Sequence, residues 1–248
     1  GRRQMCIRDS KKGVDSVLNV RVKECAPFEN VYTLALRGLH DRAMNASNDM
    51  GDRKDMLQEA LMAQRQMLID AIGKPGEEIP QAFTPYKEVL DVYDEGLELP
   101  DDVTIIWPDD NYGYMKRLSS PKEQKRSGRS GVYYHSSYLG KPHDHLWMNT
   151  VSPTLMYEEL RKAYDATADR IWLLNAGDIK SCEFAVDYFL TMAFDIDAFN
   201  FERAANYRTE WLCGMLGDQY RNEYQDVVNS FYKLAFARKP EFMGWGYQ

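Results

Sequence analysis

Val103 to Asn111 reads VTIIWPDDN, five apolar or β-branched residues followed by a proline and three short polar residues. A continuous apolar run of this length, with no polar alternation, marks a strand covered on both faces. Pro108-Asp109-Asp110-Asn111 has the composition of a loop and not of a strand interior. The same transition recurs along the chain. Val31–Leu36 runs into Arg37-Gly38, Val132–Tyr134 ends on His135, and Ile171–Leu174 passes into Asn175-Ala176-Gly177-Asp178.

Helical patterns lie between these runs. Asp52 to Ile72 repeats Met56, Leu57, Leu61, Met67, Leu68 and Ile72 at close to the helical period, and Gly73 supplies a stop. Thr84-Pro85 predicts a helix entry into YKEVLDVYDEGL, with Tyr86, Lys87 and Glu88 in the first turn. Ser152-Pro153 opens a third helix carrying Leu155, Met156, Leu160 and Tyr164, and EFAVDYFLTMAFD after Asp178 reads as a fourth.

Strands alternating with helices imply a parallel sheet in an α/β protein. Neither G-x-G-x-x-G nor G-x-x-x-x-G-K-[ST] follows any strand, which removes the usual signature of dinucleotide or P-loop phosphate binding and favours a (β/α)8 TIM-type barrel over a doubly wound sheet. Four strong strands are too few to close it. Either the barrel is incomplete or strands have gone unread, and the resemblance given below implies a partial (β/α)8 barrel, the later half, over residues 24–198. Residues 199–248 (FERAANYRTEWLCGML and QYRNEYQDVVNSFYKLAFARK) form a helical extension packed on the barrel. Residues 1–23 are expected to be a terminal segment, partly foreign or disordered, since GRRQMCIRDS is basic and shows no periodicity.

Composition narrows the function. The 248 residues carry 31 Lys+Arg against 38 Asp+Glu, a formal charge of -7. That balance argues against nucleic acid as partner, because phosphates are bound by an excess of cations. No run approaches the roughly 20 apolar residues a membrane span needs. The four cysteines have no C-x-x-C spacing, and at this density they make neither a zinc finger nor a disulfide scaffold. Five Trp, sixteen Tyr and ten Phe supply flat apolar faces, with polar tips on the first two, suited to sugar rings as well as to core packing.

In a parallel sheet of this kind functional groups collect at the carboxyl ends of strands, where Arg37, Asp109, His135 and Asn175 fall. Carboxylates recur there and in the following loops: Asp41, Glu88, Asp109, Asp110 and Asp178. Two carboxylates facing one cleft are what glycoside hydrolysis requires, one protonated to assist the leaving oxygen and one ionised as base or nucleophile. His143-Asp144-His145 has metal-ligand chemistry, but its imidazoles are two apart beside Pro142, and no metal is expected. No G-x-S-x-G elbow supports a serine nucleophile.

ENVYTLALRGLHD (Glu29 to Asp41), FTPYKEVLDVYDEGLELPDDVTIIWPDDNYGY (Phe83 to Tyr114), GVYYHSSYLGKPHDHLW (Gly131 to Trp147) and NAGDIK (Asn175 to Lys180) resemble the catalytic barrel of glycoside hydrolase family 115. The resemblance implies a xylan α-1,2-glucuronidase, an inverting hydrolase that removes glucuronic acid or its 4-O-methyl ether from xylan side chains. It implies Glu88 as general acid, Asp41 as general base, Asp109 as the rival base, and Arg37, Tyr86, Lys87, Asn111, His135 and Tyr138 as substrate-binding residues. A uronate carboxylate suits Arg, which can bind it through two parallel hydrogen bonds. Where the family shows R-G-D-G-D this chain has R-G-L-H-D, which keeps Arg37 and Asp41.

No cofactor is implied. The implied partner is glucuronoxylan or its oligosaccharides, and the resemblance allows a homodimer in the full-length protein. Substrate logic places such an enzyme in the secreted or periplasmic space. The alternative reading is a catalytically incompetent glycan-binding fragment of the same lineage.

Overall fold

The computed structural model describes residues 11–38, 43, 49–138, 148–177 and 179–243. These residues divide between two compact units, Gly1–Ile106 with Lys125–Arg129, and Trp107–Gln124 with Ser130–Gln248.

Unit 1 begins with helix α1 (Lys11–Cys25), whose Val22 packs against the apolar core of the unit. Residues 1–10, whose sequence shows no periodicity, lie outside the described residues. Strand β1 (Tyr32–Thr33) is followed by α2 (Met50–Ile72). The Asp49 side chain caps α2 by accepting from Asp52 N, and Gly73 ends it in the left-handed region at φ 74° with its N–H on Ile69 O. Leu57, Leu61 and Leu68 form the buried stripe, while Met56 is 36% exposed, so the inward face is narrower than the apolar pattern suggested. Strand β2 (Gln81–Phe83) and helix α3 (Glu88–Asp94) follow. The core joins Leu34, Phe83, Val89, Val92 and Val103 to that α2 stripe. Arg65 on α2 ties the amino ends together, donating at 2.7 and 2.9 Å to the Asp102 carboxylate and at 3.1 Å to Gln81 Oε1.

Unit 2 contains β4 (Ser130–His135), α4 (Pro153–Asp165), β5 (Trp172–Asn175) and α5 (Glu183–Phe194). Helices α6 (Phe201–Leu216) and α7 (Arg221–Ala237) close it. Ser152 caps α4 through Leu155 N at 3.2 Å, with Pro153 at the first helical position, as the sequence predicts. Its core is aromatic: Tyr134, Phe184, Tyr188, Phe189 and Phe199 pack with Val132, Leu160 and Met192.

Strand β3 (Thr104–Pro108) runs across the boundary between the units, fully buried along its length. The five strands form one sheet in the order β1-β2-β3-β4-β5. The registers are parallel: Tyr32 opposite Gln81, Phe83 opposite Ile105, and His135 opposite Asn175. A doubly wound sheet reverses its strand order at a switch point, whereas the five strands among the described residues keep sequence order, the connectivity of a partial (β/α)8 barrel.

Two expectations are corrected. A fifth strand, β2, escapes sequence reading because it spans only three residues between Pro80 and Thr84-Pro85. Helix α3 starts at Glu88 and not at Pro85, because Lys87 takes φ 52°, ψ -122° and breaks the helical path.

Candidate active site

The side chains below lie at or beyond the carboxyl ends of the strands, in two clusters that belong to different units. In unit 1 the backbone after β1 is held by Gln64 of α2, whose side-chain amide donates to Ala35 O at 2.8 Å and accepts from Ala35 N at 3.0 Å. This clamp sets the course of the chain two residues before Arg37. The Arg37 guanidinium then meets Glu88 in a fork, Nε donating to Oε1 at 3.2 Å and Nη2 to Oε2 at 3.1 Å, with both side chains about four-fifths buried.

Tyr86 lies beneath both cations, its ring centroid 5.2 Å from the Arg37 guanidinium carbon and 5.0 Å from Lys87 Nζ. The positive φ of Lys87, a non-glycine residue, is backbone strain at the entry to α3, next to Glu88. Four residues implied by the resemblance, Arg37, Tyr86, Lys87 and Glu88, are thus brought together.

In unit 2 the residue after β3 is Asp109, which is 2% exposed. Its carboxylate accepts three backbone hydrogen bonds and meets the His135 ring. Oδ1 takes Asn111 N at 3.0 Å and lies 2.6 Å from His135 Nδ1; Oδ2 takes His135 N at 3.0 Å and Gly113 N at 3.2 Å. These contacts occupy the roughly four lone-pair positions of a carboxylate. His135 is 1% exposed and is thereby fixed in both backbone and ring.

The turn after Asp109 is equally determined. Asp110 Oδ1 accepts from Tyr112 N at 2.8 Å and Tyr114 N at 3.1 Å, and Met115 N reaches Glu159 of α4 at 2.8 Å. Asn111 takes φ 74°, a conformation that Asn tolerates better than most residues. Gly113 has φ 100°, and a Cβ there would stand 2.9 Å from both Tyr134 Oη and Val151 Cγ1. Tyr134 Oη donates to Gly113 O at 2.9 Å. Burial, followed by the charge of Asp109, pushes the Tyr134 phenol well above its ordinary range, so it remains a donor.

Alternation along β4 explains the rest. Val132 and Tyr134 face the core, so Tyr133 and His135 share the opposite face, with ring centroids 4.6 Å apart. Asn175, at the end of β5, donates through Nδ2 to Tyr133 Oη at 3.0 Å. Tyr138 meets His135 edge-on at 5.6 Å. Tyr133 is the member of this cluster that sequence reasoning missed, and its two-residue spacing from His135 is the signal that could have found it.

Asp41, His143, Asp144, His145 and Asp178 lie outside the described residues. Among the described residues no group of three or more His, Cys, Asp and Glu is placed to hold a metal, and no helix is long and apolar enough to cross a membrane.

The model of glycosyl hydrolase family 115 matches residues 3–242. Among solved structures, a family GH115 4-O-methyl-α-glucuronidase, BtGH115A, described as having specificity for decorated arabinogalactans, is 42% identical, with a TM-score of 0.89. The match covers 95% of this chain and 31% of that one, so the chain spans less than a third of its relative. No curated protein matches the chain. A family model running almost from end to end, with the same fold retained at that identity, makes this chain a member of glycosyl hydrolase family 115.

Proposed function

We propose that the chain carries catalytic groups of a glycoside hydrolase that releases glucuronic acid or 4-O-methylglucuronic acid from α-1,2-linked polysaccharide side chains with inversion. The observation that carries this reading is the 42% identity, over 95% of the chain, to a 4-O-methyl-α-glucuronidase. Glu88 protonates the departing glycosidic oxygen and Asp41 takes a proton from the attacking water. Arg37, with Lys87 and Tyr86 beside it, supplies the cationic surface that a uronate carboxylate seeks.

Asp109 has a different part in this reading. With its acceptor positions filled by the backbone and by His135, it is a positioning residue that aims His135, Asn111 and the turn between them. That leaves Asp41 as the base.

The polymer has two candidates. Xylan is the substrate class implied by the resemblance, and the arabinogalactan specificity described for BtGH115A favours decorated arabinogalactan. Either polymer lies outside the cell, which favours a secreted or periplasmic enzyme.

The test is chromatographic detection of uronic acid released from glucuronoxylan oligosaccharides and from glucuronidated arabinogalactan, by the parent and by Glu88→Ala. Release by the parent alone supports the hydrolase and its acid, and the productive polymer identifies the substrate. Binding without release by either protein would favour the glycan-binding alternative. Proton NMR of the first product should show the β anomer; the α anomer first would overturn inversion.

A further inference from the structure

Arg208 of α6 is a half-buried guanidinium held by rings. Its guanidinium carbon lies 5.2 Å from the ring centroids of Phe184, Phe231 and Tyr232, and Nη1 donates to Tyr232 Oη at 2.6 Å. That hydrogen bond uses one of five N–H donors. Nε and Nη2, side by side on one edge, donate to no group among the described residues, and no carboxylate there pairs with the charge. Arg208 lines a cavity of about 250 Å³ together with Met148, Asn149, Ser181 and Phe231, all within unit 2. Asn149 lies beyond β4 and Ser181 beyond β5, and Asn149 Nδ2 ties the two segments by donating to Ser181 O at 2.7 Å. Asn149 is 5% exposed, so this wall of the cavity is fixed. Glu183, two residues after Ser181, is turned to Lys180 Nζ at 2.9 Å.

We propose that this cavity is a carboxylate-binding site, separate from the proposed catalytic groups, which takes a small hydroxy acid on the edge of Arg208. Rings stacked on a guanidinium hold its orientation but bring no counter-charge, and a partly desolvated cation gains most from an anion. The Nε and Nη2 edge presents two parallel donors, the spacing that a carboxylate accepts. Phe231 and Met148 offer carbon surface to the body of the acid, and Asn149 and Ser181 offer polar groups to its hydroxyls. At roughly 30 Å³ per water the cavity has the volume of about eight waters, more than a carboxylate alone fills. A bare inorganic anion would leave the apolar wall unused. The site stands without the hydrolase reading, since none of its residues has a part in that acid and base chemistry.

Nitrogen-15 NMR of the arginine Nε–H groups reads the site residue by residue, and the resonance absent from Arg208→Lys identifies Arg208. Two probes are titrated: sodium gluconate as a free acid, and an aldouronic oligosaccharide as an acid carried on a glycan. A saturable shift of the Arg208 resonance with either sustains the site and names the source, and it should survive Arg37→Ala. Sodium sulfate should bind at least about tenfold more weakly than the better probe. Ser181→Asp sets a competing carboxylate on the cavity wall, at an exposed position whose φ of 74° Asp tolerates, and should weaken binding by about tenfold or more. The backbone amide spectrum confirms that each variant is folded. No saturable shift with either probe, an equal response to sulfate, or unchanged binding in Ser181→Asp overturns the site.

Discussion

The Arg37 guanidinium and the Glu88 carboxylate are joined by two parallel hydrogen bonds, 3.2 and 3.1 Å long, across 51 positions of sequence. The pair links the chain after β1 to the first turn of α3, and it has a chemical consequence. A uronate carboxylate presents the same two-oxygen edge as Glu88, so under the proposed function an arriving substrate would compete with Glu88 for the guanidinium. In that proposal, Arg37 turning to the substrate would release both oxygens of Glu88, and substrate binding and exposure of the acid would become one event.

Arg37→Ala is therefore expected to lower kcat/KM for uronic acid release by about 10²- to 10³-fold, the loss of two charged hydrogen bonds. Arg37→Lys keeps the charge but not the planar fork and should remain well below the parent. Steady-state kinetics on a defined aldouronic acid checks both. A lysine variant equal to the parent would show that charge alone matters and that the fork does not.

Asp109→Asn replaces an acceptor-only group by one whose amide nitrogen faces N–H donors. It should lower stability by about 2–3 kcal/mol, since charged hydrogen bonds are lost and a buried donor is left unsatisfied. Denaturant unfolding followed by tryptophan fluorescence measures this. A variant as stable as the parent but inactive would restore Asp109 as a base, because a base that only meets water has no structural part to lose.

The alternation of strand and helix was legible in residue order, and with it the sheet. Apolar runs such as Val103 to Trp107 announce a doubly covered strand because burial on both faces admits no polar alternation. Strand β2 was not legible, because three residues are too few to show any period. Nor was the start of α3, where Thr84-Pro85 has the composition of a helix entry and the positive φ of Lys87 overrides it. Asp109 was singled out as a carboxylate at a strand end, but sequence could not show that three backbone N–H groups and the His135 ring surround it. That number depends on the turn closing through Gly113 and on the register of β4 beside β3.

Gly113→Ala tests how strictly that turn is specified. The new methyl group would stand 2.9 Å from two side-chain atoms on a backbone at φ 100°, so strain and overlap act together. The expected loss is about 2–4 kcal/mol. A thermal midpoint within a degree of the parent's would mean that the turn has room to shift.

Chelation is a simpler test. Dialysis against a strong chelator should leave uronic acid release unchanged, since the acid and base in the proposed mechanism are both carboxylates. Loss of activity restored by zinc would bring His143, Asp144 and His145 back as a ligand set.

Alkaline pH tests the buried phenols. Tyr134 and Tyr188 are both raised above the ordinary tyrosine value, chiefly by burial, and both donate to carbonyls, Tyr134 to Gly113 O and Tyr188 to Pro153 O. In the unfolded chain each phenol ionises near its usual value of about 10. The folded protein keeps the proton that the unfolded chain gives up, so stability holds below about pH 10 and falls as pH rises above it. Tyr134→Phe removes one such group. It should lower stability at neutral pH by about 1 kcal/mol through the lost hydrogen bond. It should also make the alkaline decline shallower, by up to about 1.4 kcal/mol per pH unit. Urea unfolding at a series of pH values from 8 to 11 reads both effects. An alkaline slope identical to the parent's would show that Tyr134 ionises at the same pH in the folded and unfolded chains, and that its hydroxyl does not secure the turn below Asp109.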